Sequence, residues 1–228
     1  MKGQIGLVRK IMKGSVLFSV GEGALSAAIS ASVFLLTTFG TREEGAWYGT
    51  FARLFQSILT PLLLVMVPIS SFITTRWRGL DKKRQRLLLS ASTAAGVLYG
   101  AFGAACLTFG GRPFLERFYH LPPVGTGAEV AAISLLFLGI LSEKAYGMVV
   151  YALDNGRTLS LGAFAAVAVS ALFAVVGIHF FNAMQTLAIA AFIGGVLLVL
   201  VIGFDFLQRY RQLGEDVMPH SVREPTKS

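Results

Sequence analysis

Three ionisable side chains, Glu22, Glu143 and Lys144, interrupt stretches that otherwise hold no charge. A charge inside hydrocarbon costs about 2.5–3.5 kcal/mol even on insertion scales, so each requires a partner, water or a task. Adjacent positions on a helix project about 100° apart, so Glu143 and Lys144 cannot share one direction and at least one turns into a bundle. Counted along helices of opposite direction, Glu22 lies about 12 Å and Lys144 about 14 Å from the same end. That shared depth suits a structural ion pair. It also suits a polar cavity that receives an anion, or one in which Glu22 carries a proton or sodium ion. Arg53, at the mouth of another apolar run, can snorkel to headgroups or join such a cavity. Thr126-Gly127-Ala128-Glu129 has the spacing of a helix start and no chemistry. There is no Gly-rich phosphate loop and no nucleophile–base pair, Cys106 is single, and His120, His179 and His220 have no zinc-ligand spacing. The expectation is a protein with no catalytic residue, no metal and no cofactor.

Whatever positions those residues lies in a membrane. Of 228 residues 54% are hydrophobic and only 14% charged, against about a quarter charged in soluble domains. Mean hydropathy is +0.68, which excludes a soluble globular domain, a disordered tail and a fibrous repeat. At about 20 residues per crossing, the length accommodates six spans. The gaps between charges place them near 14–38, 54–75, 88–110, 131–153, 158–178 and 184–204. Residues 158–204 are 47 positions without formal charge, too long for one helix, and Gly177, His179 and Asn182 mark the turn that divides them. The fold expected is all-α, a six-transmembrane-helix bundle over residues 1–210 with a polar tail at 211–228. Helices rather than barrel strands follow from the length and apolarity of the runs.

The net charge of +8 reflects loop retention at one membrane face rather than nucleic-acid binding. Fifteen Lys and Arg fall in the N-terminal segment, the Arg76–Arg86 loop, the Arg157 turn and the tail, against four (Arg42, Arg53, Arg112, Arg117) on the other side. The positive-inside rule therefore puts both termini in the cytoplasm. Trp47, Tyr48, Phe118 and Tyr119 at the outer ends, and Trp77, Tyr151 and Tyr210 at the inner ends, are expected as interface anchors. Glu22 interrupts the first apolar core, which argues against a cleaved signal peptide. Small residues at four-residue spacing, Gly96, Gly100 and Ala104, and likewise Ala24, Ala28 and Ser32, let helix backbones approach closely. Pro61 and Pro68 inside the second span should bend or break it, and are hinge candidates of the kind transporters use. Asp205 and Arg209, four apart near the end of the sixth span, read as an interfacial pair.

Two stretches carry a family likeness. One is "LLTTFGTREEGAWYGTFARLFQSILTPLLLVMVPISSFITTRWRGLDKKRQ": a span ending at Phe39-Gly40, an acidic turn to Tyr48-Gly49, then a Pro-bearing helix closing on a basic loop. The other is "LSEKAYGMVVYALDNGRTLSLGAFAAVAV", with a short turn at Asn155–Arg157. Over about residues 8–210 the chain resembles the C-terminal six-helix half of an oligosaccharide flippase of the polysaccharide-exporter family. That group also includes lipid II flippases and multidrug and toxin extruders. The resemblance implies translocation of a lipid-linked, anionic saccharide across a bacterial or archaeal plasma membrane for cell-surface polysaccharide synthesis. It also implies a second six-helix half or a homodimer, since such proteins are built of two halves. Arg53 and Lys144 are cavity candidates for the anionic headgroup on depth and charge, with Glu22 and Glu143 beside them. A membrane scaffold or assembly subunit, and half of a cation-coupled drug antiporter, are the alternatives.

Overall fold

The computed structural model describes residues 2–153 and 156–215. Its elements are helical: α1 (Lys2–Phe39), α2 (Arg42–Arg76), α3 (Lys82–Ala105), α4 (Arg112–Tyr119), α5 (Gly127–Leu153), α6 (Arg157–Gly177) and α7 (Ala183–Glu215). A 3₁₀ turn at Trp77–Gly79 precedes α3, and a π-helical stretch, Cys106–Gly111, joins α3 to α4. Six helices are long and apolar enough to cross a membrane, α3, the π stretch and α4 counting as one. Leu64, Phe102, Phe109, Leu172, Phe180 and Leu200 lie exposed around the bundle, as a lipid-facing surface requires. The chain is a multi-pass membrane protein.

Sharp caps set the helix starts. Thr41 Oγ1 accepts from the Glu44 amide (3.1 Å) and Glu44 Oε2 from the Thr41 amide (2.7 Å), so α2 begins directly after the Gly40 turn. Thr126 and Glu129 form the same reciprocal box ahead of α5. Asp81 caps α3 through the Arg84 amide, and Asn182 caps α7 through that of Gln185. These satisfy amides with no partner inside the helix. The Thr41 box also explains why α2 starts at Arg42, not 54; separately, α3 continues through the π stretch to Tyr119 rather than stopping at 110. Absence of charge marks the hydrocarbon portion of a helix, not its ends. The tail expected from 211 is helical to Glu215. Its remainder, with His220, Arg223 and Lys227, lies outside the described residues, as does Asn155 of the turn before α6.

The central element is α5, packed by α2, α3 and α7, while α1 leans on α6 and meets α2. The seam between α3 and α5 is built on missing side chains. A Cβ at Gly96 would come within 2.5 Å of Ala145 Cβ, and one at Gly100 within 2.7 Å of Ser142 Oγ and 3.0 Å of the Leu138 carbonyl. Tyr99 ties α3 to α2 by donating to the Ile58 carbonyl at 2.6 Å.

Several sequence expectations need correction. Trp47 and Tyr48 are not interface anchors: both are fully buried. Trp47 stacks on Phe51 (4.8 Å) and Phe55 on Phe137 (4.1 Å), an aromatic core between α2 and α5. Tyr151 is half-buried and hydrogen-bonded inside the bundle. Pro61 and Pro68 do not break α2, which runs helical through both. The Asp205–Arg209 pair is more than interfacial: Asp205 is buried and its Oδ2 accepts from Tyr146 Oη and Arg209 Nε, each at 2.7 Å, fastening α7 to α5.

Candidate functional site

The structure gathers Glu22, Glu143 and Lys144 where α1, α5 and α6 converge and leaves Arg53 apart. Because α1 rests on α6 rather than on α5, long side chains span the gap. Lys144 Nζ donates to Glu22 Oε2 in a salt bridge, with the lysine side chain 11% and the glutamate 31% exposed. The pair is the structural one that matched depth allowed. Glu143 turns the other way, as adjacent helix positions must, and is 1% exposed. Tyr151 Oη donates to its Oε1 at 3.3 Å and lies 3.0 Å from Ser160 Oγ on α6. Gly147 makes room for this arrangement: a Cβ there would meet the Tyr151 ring at 2.9 Å and Glu143 Oε1 at 3.1 Å. Glu143 Oε2 is buried and has no hydrogen-bond partner among the described residues. Tyr151 and Ser160 were not foreseen as members of the site. The tyrosine's signal was its eight-residue separation from Glu143, two helical turns on one face.

A second feature lies along the groove between α1 and α2. Ser19, Glu22, Ser26 and Ser30 follow one another at three- or four-residue steps on α1, the three serines exposed and the glutamate partly so. At 100° per residue they keep within about 80° of one another. Thr37 continues the stripe and packs against Gly45 of α2, so the stripe faces α2. On α2, Arg53, Gln56 and Thr60 are exposed and cluster likewise. They lie about 140–160° around α2 from Ile58, which meets Tyr99 and Gly103 of α3. Their face therefore turns away from α3 and toward α1. Thr60 bonds its own helix carbonyl, which makes a hydroxyl cheap in lipid. Through its carbonyl Arg53 accepts from Ser57 Oγ at 3.1 Å, while its guanidinium makes no hydrogen bond or ion pair among the described residues. It sits on α2 level with the Phe55–Phe137 stack, and Lys144 is seven positions further along α5, about 10 Å toward the basic end.

An apolar cleft of about 470 Å³ separates α1, α6 and α7 in the other half of the bundle, walled by Ala27, Ala31, Ala171, Ala174 and Ala190. Its polar lining is confined to Ser32, Ser170 and His179. No group of three or more His, Cys, Asp or Glu suited to a metal occurs among the described residues. Compared with known protein families, curated proteins and solved structures, the chain matches none of them.

The site can thus do two things. It can present a polar, cationic strip to whatever faces the α1–α2 groove, and it holds a buried carboxylate whose obvious counter-ion is already engaged by another.

Proposed function

We propose that the chain is a transporter half of the flippase type, moving a lipid-linked, anionic oligosaccharide between bilayer leaflets for cell-surface polysaccharide synthesis. The carrying observation is the pair of polar stripes, Ser26–Ser30 on α1 and Arg53–Gln56–Thr60 on α2, bordering one groove. Arg53 and Gln56 exposed to hydrocarbon would each be costly. Facing water and a second half, they form one wall of a path whose lipid-side neighbours stay apolar. The sequence likeness over residues 8–210 points the same way.

In this reading Arg53 meets the anionic headgroup. Its guanidinium offers several donors in a planar fork suited to phosphate oxygens. Lys144 is occupied by Glu22 and serves to hold α1 on α5. That pair favours the second reading, a scaffold whose intramembrane charges only join helices, to the extent that it explains Lys144. It leaves Arg53 and Gln56 unexplained.

The test is translocation of a fluorescent lipid-linked oligosaccharide in proteoliposomes, with the protein in the assembly state it has on extraction. Arg53→Ala with Gln56→Ala should lower the rate at least about tenfold, an increase of about 1.4 kcal/mol in the barrier, with unchanged thermal unfolding. Wild-type rates in that double variant, or no translocation by the wild type, would remove the flippase reading and favour the scaffold.

A further inference from the structure

The charges at the junction of α1, α5 and α6 do not balance. Two carboxylates, Glu22 and Glu143, face one ammonium, Lys144, and Lys144 is engaged by Glu22. Among the described residues the cation that acts on Glu143 is Lys144, which Glu143 shares with Glu22. From α6 it is approached through Tyr151 by the neutral Ser160. On α7 the nearest charges, Asp205 and Arg209, are paired with each other and with Tyr146. The surfaces that α2 and α3 bury, Leu59 and Leu62, Gly96 and Gly100, carry no charge. Glu143 itself is 1% exposed, and its Oε2 has no partner. An ionised carboxylate so placed costs far more than a neutral acid.

We propose that Glu143 is a reversible proton-binding site, loaded from the basic end of the bundle through the Tyr151 hydroxyl. Tyr151 is half-buried, lies two turns nearer that end, and reaches back to Glu143 because helical side chains lean toward the N-terminus. Loading moves one proton from water to Tyr151 Oη as the Tyr151 proton passes to Glu143 Oε1; only O–H bonds form and break. The ligand is a proton rather than a metal cation. A hard cation needs several oxygen ligands, and the side-chain hydrogen bonds seen among the described residues bring to the carboxylate the Tyr151 hydroxyl and, beyond it, that of Ser160. The binding itself is independent of the transporter reading; its use, to drive the movement of α1 against α5 and α6, rests on it.

Infrared difference spectroscopy of the purified full chain in lipid nanodiscs, across a pH series and with no saccharide present, reads the protonated carboxyl directly. The expected result is a titrating carboxylic-acid band that Glu143→Gln removes and Glu22→Gln retains. Tyr151→Phe should keep the band and slow its appearance after a pH jump about tenfold. Glu143→Gln imitates the neutral acid and should fold with the wild-type melting temperature. A spectrum of Glu143→Gln equal to wild type at every pH overturns the proposal. So does a band erased by sodium but not choline chloride, or a Gln variant that fails to fold while Glu22→Gln folds. If the band is present and translocation is absent, the transporter reading fails and the proton site stands.

Discussion

Lys144 and Glu22 carry the clearest energetic consequence at the scale of single residues. Removing one member of a buried pair leaves an uncompensated charge, typically costing about 3–5 kcal/mol, whereas removing both is often close to neutral. Lys144→Met and Glu22→Gln should each lower stability in a detergent-unfolding titration by that order, discounted at Glu22 for its partial exposure. The double variant should recover most of the loss, giving a coupling well above the few tenths of a kcal/mol of independent sites. Additive losses would mean that the two charges do not support each other. This pair was legible from depth and sign alone. Glu143 was legible only as a residue that could not share its neighbour's direction; that Tyr151 folds back to it depends on Gly147 leaving the space, which composition does not reveal.

At the level of helices, α3 against α5 is the seam most sensitive to volume. Gly100→Leu inserts a side chain where even a Cβ meets Ser142 Oγ at 2.7 Å, and overpacking of this kind costs about 1–3 kcal/mol or more. Gly203→Ala, with nothing within 4 Å of the added Cβ, should stay within about 0.5 kcal/mol of wild type. Equal melting temperatures for the two variants would contradict the packing. The prolines belong to the same scale. Both are exposed and α2 is unbroken through them, so Pro61→Ala with Pro68→Ala should leave the fold intact and, by restoring two backbone hydrogen bonds, raise stability slightly. If α2 flexes during transport, the stiffened helix should translocate more slowly; an unchanged rate would mark the prolines as passive.

For the molecule as a whole, the charge asymmetry and the groove make separate predictions. A cysteine replacing Arg84, in a chain whose Cys106 has been changed to Ala, should react with an impermeant maleimide only when the cytoplasmic face is open. Labelling from outside would invert the topology. The polar α1–α2 groove has no counterpart among the described residues, so the solubilised protein should run heavier than one 24.4 kDa chain after subtraction of detergent. A single chain by light scattering, with full translocation activity, would dispense with the second half.

Membrane residence, the six crossings and the matched depth of Glu22 and Lys144 were determined by the sequence alone, because hydrocarbon penalises charge and unpaired backbone so heavily that the pattern of charge-free runs has one helical solution. Helix ends escaped it, since the capping boxes at Thr41 and Thr126 extend helices past the apolar zone. Only the tertiary structure decided which aromatic residues are core and which are surface. Trp47 and Phe118 lie in similar sequence surroundings, and packing against α5 buries the first while leaving the second exposed. The same holds for the polar stripes. Serine, threonine and glutamine at helical spacing are compatible with any face, and the neighbours of Thr37 and Ile58 are what turn those stripes toward one groove.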